Sequence, residues 1–183
     1  MRIPTLIATA LLVTLPGLAN AAEAPCLTRQ EFSGLASFVL PSVMEGAIER
    51  CQPYLDDGDY LATSGSKVVE RYEARKADSW PVAKAAFLKI SGETNGKAND
   101  LLKMLPDDAL QDMLDITFEG LVSQEIPTDK CGTIDEFTRL LAPLPPENTA
   151  EIISLIVSLA GKPNNDGKAK SPIGKLTICP EPS

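Results

Sequence analysis

The stretch Cys26 to Cys51, CLTRQEFSGLASFVLPSVMEGAIERC, decides how the chain is built. Two cysteines enclose a helical-looking segment with one proline inside it. As a single straight helix, residues 28 to 51 would hold the cysteines about 35 Å apart, far beyond the roughly 7 Å limit between bridged Cα atoms. Pro41 changes this. Proline biases the preceding residue, here Leu40, away from helical geometry, and it suits the first turn of a new helix. The segment therefore reads as two helices that reverse between Val39 and Pro41. Thr28 and Glu31 have capping-box spacing; Phe32, Leu35 and Phe38 form the apolar stripe of the first arm, and Val43, Met44, Ala47 and Ile48 that of the second. Each arm spans about 16 Å, so a sharp reversal makes Cys26 and Cys51 partners across a helical hairpin. A mere kink at Pro41 would refute that pairing.

The four cysteines are Cys26, Cys51, Cys131 and Cys179. An even count in an exported chain predicts disulfides, and counting alone allows three connectivities. The hairpin selects Cys26 with Cys51 and leaves Cys131 with Cys179, tying the late helices to the C-terminal tail. There is no C-x-x-C spacing and no histidine, so a four-cysteine zinc site is the one cysteine-based metal alternative. Neither a metal nor a cofactor is assigned.

Export is read from the N-terminus, MRIPTLIATALLVTLPGLANAAEAP. Arg2, the apolar run from Ile3 to Leu15 and the small residues Ala19-Asn20-Ala21 have the order of a secretory signal peptide. Residues 1–21 are expected to be removed, leaving 22–183 as a single helical domain with an extended tail, periplasmic or extracellular. The run is short of the roughly 20 residues a membrane span needs. Glu23-Ala24-Pro25 before Cys26 does not suit a lipoprotein signal. Seventeen basic residues face 25 acidic ones, a formal charge of -8. Such a chain is repelled by phosphate backbones and anionic lipid, so nucleic-acid binding and stable membrane insertion after signal cleavage are not expected.

Downstream, Asp56 to Asp59 form a turn ahead of an amphipathic helix carrying Leu61, Val68, Val69 and Tyr72. Ser79 is read as the cap of a further helix with Trp80 and Pro81 in its first turn, interrupted between Gly92 and Gly96. Pro106, Asp107 and Asp108 open another helix, with Leu110, Met113, Leu114, Thr117, Phe118, Leu121 and Val122 as its buried face. Thr133 and Glu136 are read as a second capping box before Phe137, Leu140 and Leu141. EIISLIVSLAG, apolar nearly all round from Ile152 to Ala160, is read as the central core helix. The extended KLTIC at the end is expected to be pinned by the last disulfide. The fold class is all-α, a compact bundle of six to eight short helices with two disulfides.

The chemistry is mostly exclusion. Without histidine there is no His-dependent triad or dyad and no His-ligated zinc, and no phosphate-binding glycine loop or G-x-S-x-G elbow appears. Ser64 and Lys67 in SGSK match S-x-x-K, in which a lysine one turn away activates a nucleophilic serine, but no S-D-N or K-T-G element accompanies them. They are the weak catalytic candidates. DDGD and PNNDG group oxygen ligands around glycine, yet aligned on an EF-hand loop they place Pro53 or Lys162 first and Ser64 or Ile173 twelfth, which fails both end positions. Glu45, Glu49, Glu119 and Glu125 do not stand out from other carboxylates as hydrolytic candidates. The expectation is a non-catalytic binding or interaction module with a protein or small-molecule partner in the envelope or outside the cell. A carboxylate- or Ser/Lys-dependent envelope hydrolase is the alternative, and a structural or folding-assistance protein the second alternative.

Overall fold

Helices build the molecule, as the composition suggests. The computed structural model describes residues 26–160 and 177–179; the expected signal peptide at 1–21 and its cleavage point, and the polar segment with the PNNDG turn, lie outside the described residues. Among the described residues there are six α-helices: α1 (Arg29–Cys51), α2 (Tyr60–Thr94), α3 (Gly96–Leu102), α4 (Asp107–Glu125), α5 (Cys131–Leu141) and α6 (Pro146–Ala160). Two-residue strands β1 (Cys26–Leu27) and β2 (Thr177–Ile178) pair in parallel, with Cys26 opposite Thr177 and Leu27 opposite Ile178.

The expected hairpin is absent. α1 runs as one helix through Pro41, and its two ends are bridged elsewhere: Cys26 to Cys179, with Cα atoms 4.9 Å apart, and Cys51 to Cys131 at 5.3 Å. The helix-length arithmetic that forbids Cys26 from reaching Cys51 in an unbroken helix therefore applies. A proline inside a helix costs about 3 kcal/mol through a lost hydrogen bond and a clash, so tertiary packing must offset it. α1 supplies that packing on several sides, burying Phe32, Leu35, Phe38, Val39, Leu40, Pro41, Ala47 and Cys51 against α2, α4 and α6. A reversal at Pro41 would separate the two halves of this core.

The Thr28 capping box forms as expected: the Glu31 N–H donates to Thr28 Oγ1 at 3.1 Å, and the Thr28 N–H to Glu31 Oε2 at 2.7 Å. Proline fails as a break a second time in α2, which spans 35 residues with Pro81 internal. Ser79 there donates to the Lys76 carbonyl at 2.8 Å instead of capping a new helix. Trp80 packs on Phe38 with ring centroids 4.9 Å apart and donates its indole N–H to Asp107 at 3.0 Å. That bond joins α2 to the α4 opening read from Pro106-Asp107-Asp108.

Other expectations need correction. α6 is not the central helix, because Ile152, Leu155, Ile156 and Leu159 are 37 to 57% exposed; α1 holds that position. α5 begins at Cys131, so Thr133 lies inside it and caps nothing, while Phe137 and Leu140 face solvent. On α4, Leu110, Met113, Leu114 and Phe118 join the core, whereas Thr117 and Leu121 are exposed. The tail strand forms over Thr177–Ile178, and the disulfide beside it goes to Cys26 rather than to Cys131.

Candidate functional site

Three helices enclose an open cleft of about 1000 Å³. α1 contributes Arg29, Ser33 and Ser37, a stripe at four-residue spacing on one helix face. α2 brings Arg75, Asp78, Ser79 and Val82, and α6 brings Glu147, Asn148, Glu151, Ile152 and Leu155. Gly34 sets the closeness of α1 to α2: a Cβ there would lie 2.5 Å from Val82 Cγ1. The cleft is thus lined by polar and charged groups from all three helices, with aliphatic groups from Val82 on α2 and from Ile152 and Leu155 on α6.

Ser37 is the unusual member. It is 9% exposed, lines the cleft, and its hydroxyl has no hydrogen-bond partner among the described residues. Among the described residues the polar side-chain atoms sealed from solvent without a partner are Asn99 Oδ1 and Ser154 Oγ, so the Ser37 hydroxyl is one that cleft water reaches. Pro41 stands four residues on and carries no N–H, so the Ser37 carbonyl lacks its usual helical donor. Both polar groups of this residue are left for water or a ligand at the cleft floor.

Arg75 closes one part of the rim. Its Nε and Nη2 lie 2.9 and 2.8 Å from Glu147 Oε1, with Asp78 at 3.6 Å. The Glu147 carboxyl sits below its ordinary range, first through its own backbone N–H at the start of α6 and then through Arg75. Arg75 is pushed up by the same hydrogen bond.

A second polar cluster joins α1, α2 and α4. The Ser42 hydroxyl donates to Asp115 Oδ1 at 2.7 Å, and Lys76 Nζ donates to Asp115 Oδ2 at 2.7 Å and to Glu73 at 3.0 Å. Lys76 also lies 4.9 Å from the Phe38 ring centroid. Burial works against the lysine charge, but Asp115 and Glu73 outweigh it and hold the group above its ordinary value. Burial pushes the Glu45 carboxyl up, assisted by repulsion from Glu119, Glu73 and Asp115. Ser42 is 1% exposed, which closes it to substrate and makes this cluster a tie between helices.

Ser64 and Lys67 fall in the first turns of α2, outside the cleft. The Ser64 hydroxyl meets Thr63 Oγ1 at 3.5 Å, and Lys67 is exposed. No hydrogen bond joins the pair among the described residues. Of the four carboxylates considered from sequence, Glu45 and Glu119 come within electrostatic range of each other; none lines the cleft. Among the described residues no group of three or more cysteine, aspartate or glutamate side chains could hold a metal ion, and no helix is long and apolar enough to cross a membrane. Comparison with protein-family models, curated proteins and solved structures finds no match.

Proposed function

We propose that this chain is an exported, non-catalytic binding module that holds its ligand in the cleft between α1, α2 and α6. The observation that carries the reading is Ser37, a nine-tenths buried residue whose hydroxyl makes no protein hydrogen bond among the described residues and lines the cleft. The cleft volume, about 1000 Å³, is at the upper end of the roughly 300 to 1,000 Å³ usual for ligand pockets, and its lining combines aliphatic surface with many polar groups. Export is supported by the leader composition and by two disulfides, which persist in oxidising compartments. Binding is favoured over hydrolysis because the cleft contains no nucleophile paired with a base: Ser79 is bonded to a backbone carbonyl, and the nearest carboxylate pairing is Glu147 with Arg75.

Native mass spectrometry of the protein from its own host's exported fraction tests this. A stoichiometric added mass is expected, lost in Ser33→Leu, which places a bulky side chain in the cleft from a half-exposed position. An added mass that survives Ser33→Leu with the same occupancy would put the ligand elsewhere.

A further inference from the structure

Resting on the reading of the cleft as a ligand site, we propose that its ligand carries an ammonium or guanidinium cation on an apolar stem. The cation answers Glu151, and the stem lies on Val82, Ile152 and Leu155. Four observations combine. The cleft is lined by two arginines against three carboxylates, a surplus of one negative charge, and Arg75 bridges Glu147 and Asp78, which leaves Glu151 as the lining carboxylate outside that cluster. The chain as a whole is at -8, a field that concentrates cations rather than anions at such a cleft.

The hydrogen-bonding demand points the same way. Ser37 offers a hydroxyl without a partner and a carbonyl without its helical donor. An ammonium is a donor only, with three hydrogens, so it meets acceptors and carboxylates together. A carboxylate ligand would meet Glu151 as a like charge. The aliphatic side supplies the second half of the match. Ile152 and Leu155 are 37 and 44% exposed, and covering them with an apolar stem removes that area from water. A free organic amine and a lysine or arginine side chain with apolar neighbours in a polypeptide share this chemistry.

Calorimetric titration of the intact, oxidised chain with four probes tests the assignment: octylammonium, octanoate, octanol and the peptide acetyl-Leu-Lys-Leu-amide. Octylammonium is expected to bind at least about tenfold more tightly than octanoate or octanol. Glu151→Gln, at an exposed position, should reduce that preference several-fold and leave octanol unchanged. Peptide binding tighter than octylammonium assigns the cation to a polypeptide, and the reverse assigns it to a small molecule. Octanoate bound as tightly as octylammonium would overturn the cation assignment and leave the cleft a ligand site. Saturable binding of none of the four would overturn both.

Discussion

A Cβ built on Gly46 would lie 2.4 Å from the carbonyl oxygen of Glu119, so α1 and α4 cross with no room for a side chain between them. Backbone cannot rotate away, and overpacking of this kind costs about 1 to 3 kcal/mol or more. Gly46→Ala is therefore expected to destabilise by about 3 kcal/mol, at the upper end of that range. Gly34→Ala meets the Val82 side chain instead, which is stiff but movable, and should cost about 1 to 2 kcal/mol. Gly58→Ala, with nothing within 4 Å, is the control and should stay within about 0.5 kcal/mol. Denaturant unfolding gives the order; equal losses at Gly46 and Gly58 would contradict the crossing.

Lys76 is the cation that Asp115, Glu73 and Glu45 share, and it is 12% exposed. Lys76→Met keeps the stem and removes the charge, leaving a carboxylate cluster uncompensated across three helices. A loss of about 2 to 3 kcal/mol is expected, below the cost of breaking a fully buried pair. Glu45→Gln has the opposite sign, because burial first, and then repulsion from Glu119, Glu73 and Asp115, disfavours the ionised form. At pH 7 it should raise Tm by about 1 to 2 °C.

Acid should weaken the fold through a different carboxylate. Burial raises Glu31, but the hydrogen bonds from Lys89 and the Thr28 cap lower it further, so its folded value lies below the ordinary 4.5. A depressed carboxylate contributes stability above its unfolded pKa and loses it as pH falls through the folded one. Glu31→Gln should thus be less stable than the parent at pH 7, the difference closing as pH falls below the ordinary 4.5 and through the depressed folded value. Lys76 behaves oppositely: its raised value keeps the contribution intact below about pH 10.4 and gives it up in stronger alkali. Chemical denaturation across pH checks both windows.

The two disulfides should separate under mild reduction. Cys51 and Cys131 are fully buried with Leu61, beside Ile48 and Ile126, whereas Cys26 and Cys179 are half-buried at the strand pair. Thiolate attack needs access to a sulfur. Alkylation after brief reduction is expected to label Cys26 and Cys179 first. Replacing both Cys51 and Cys131 by alanine should cost about 4 kcal/mol, since the bridge closes a long loop.

How far the sequence discloses the molecule depends on whether local or distant forces dominate at each residue. The Thr28 cap, the α4 start at Asp107 and the extended Thr177–Ile178 are local in origin, and each is legible. Pro41 and Pro81 are not, because the penalty that should end a helix there is offset by packing against other helices, which a linear reading does not contain. The apolar run of α6 suggested the core for the same reason: composition gives hydrophobicity but not which helix is surrounded. The cleft is not legible as a site in the linear sequence. Its available signal was the Arg29, Ser33, Ser37 stripe at four-residue spacing, with Pro41 one step further, opposite the Phe32, Leu35, Phe38 stripe.

α1 running unbroken through Pro41 is the decisive structural claim, since only within one helix does Pro41 take the place of the donor to the Ser37 carbonyl beside the cleft. Non-reducing peptide mapping of the purified protein tests it most directly. Linked peptides joining Cys26 to Cys179 and Cys51 to Cys131 are the predicted result. A peptide joining Cys26 to Cys51 would require α1 to fold back on itself, and would contradict both the helix and the cleft built on it.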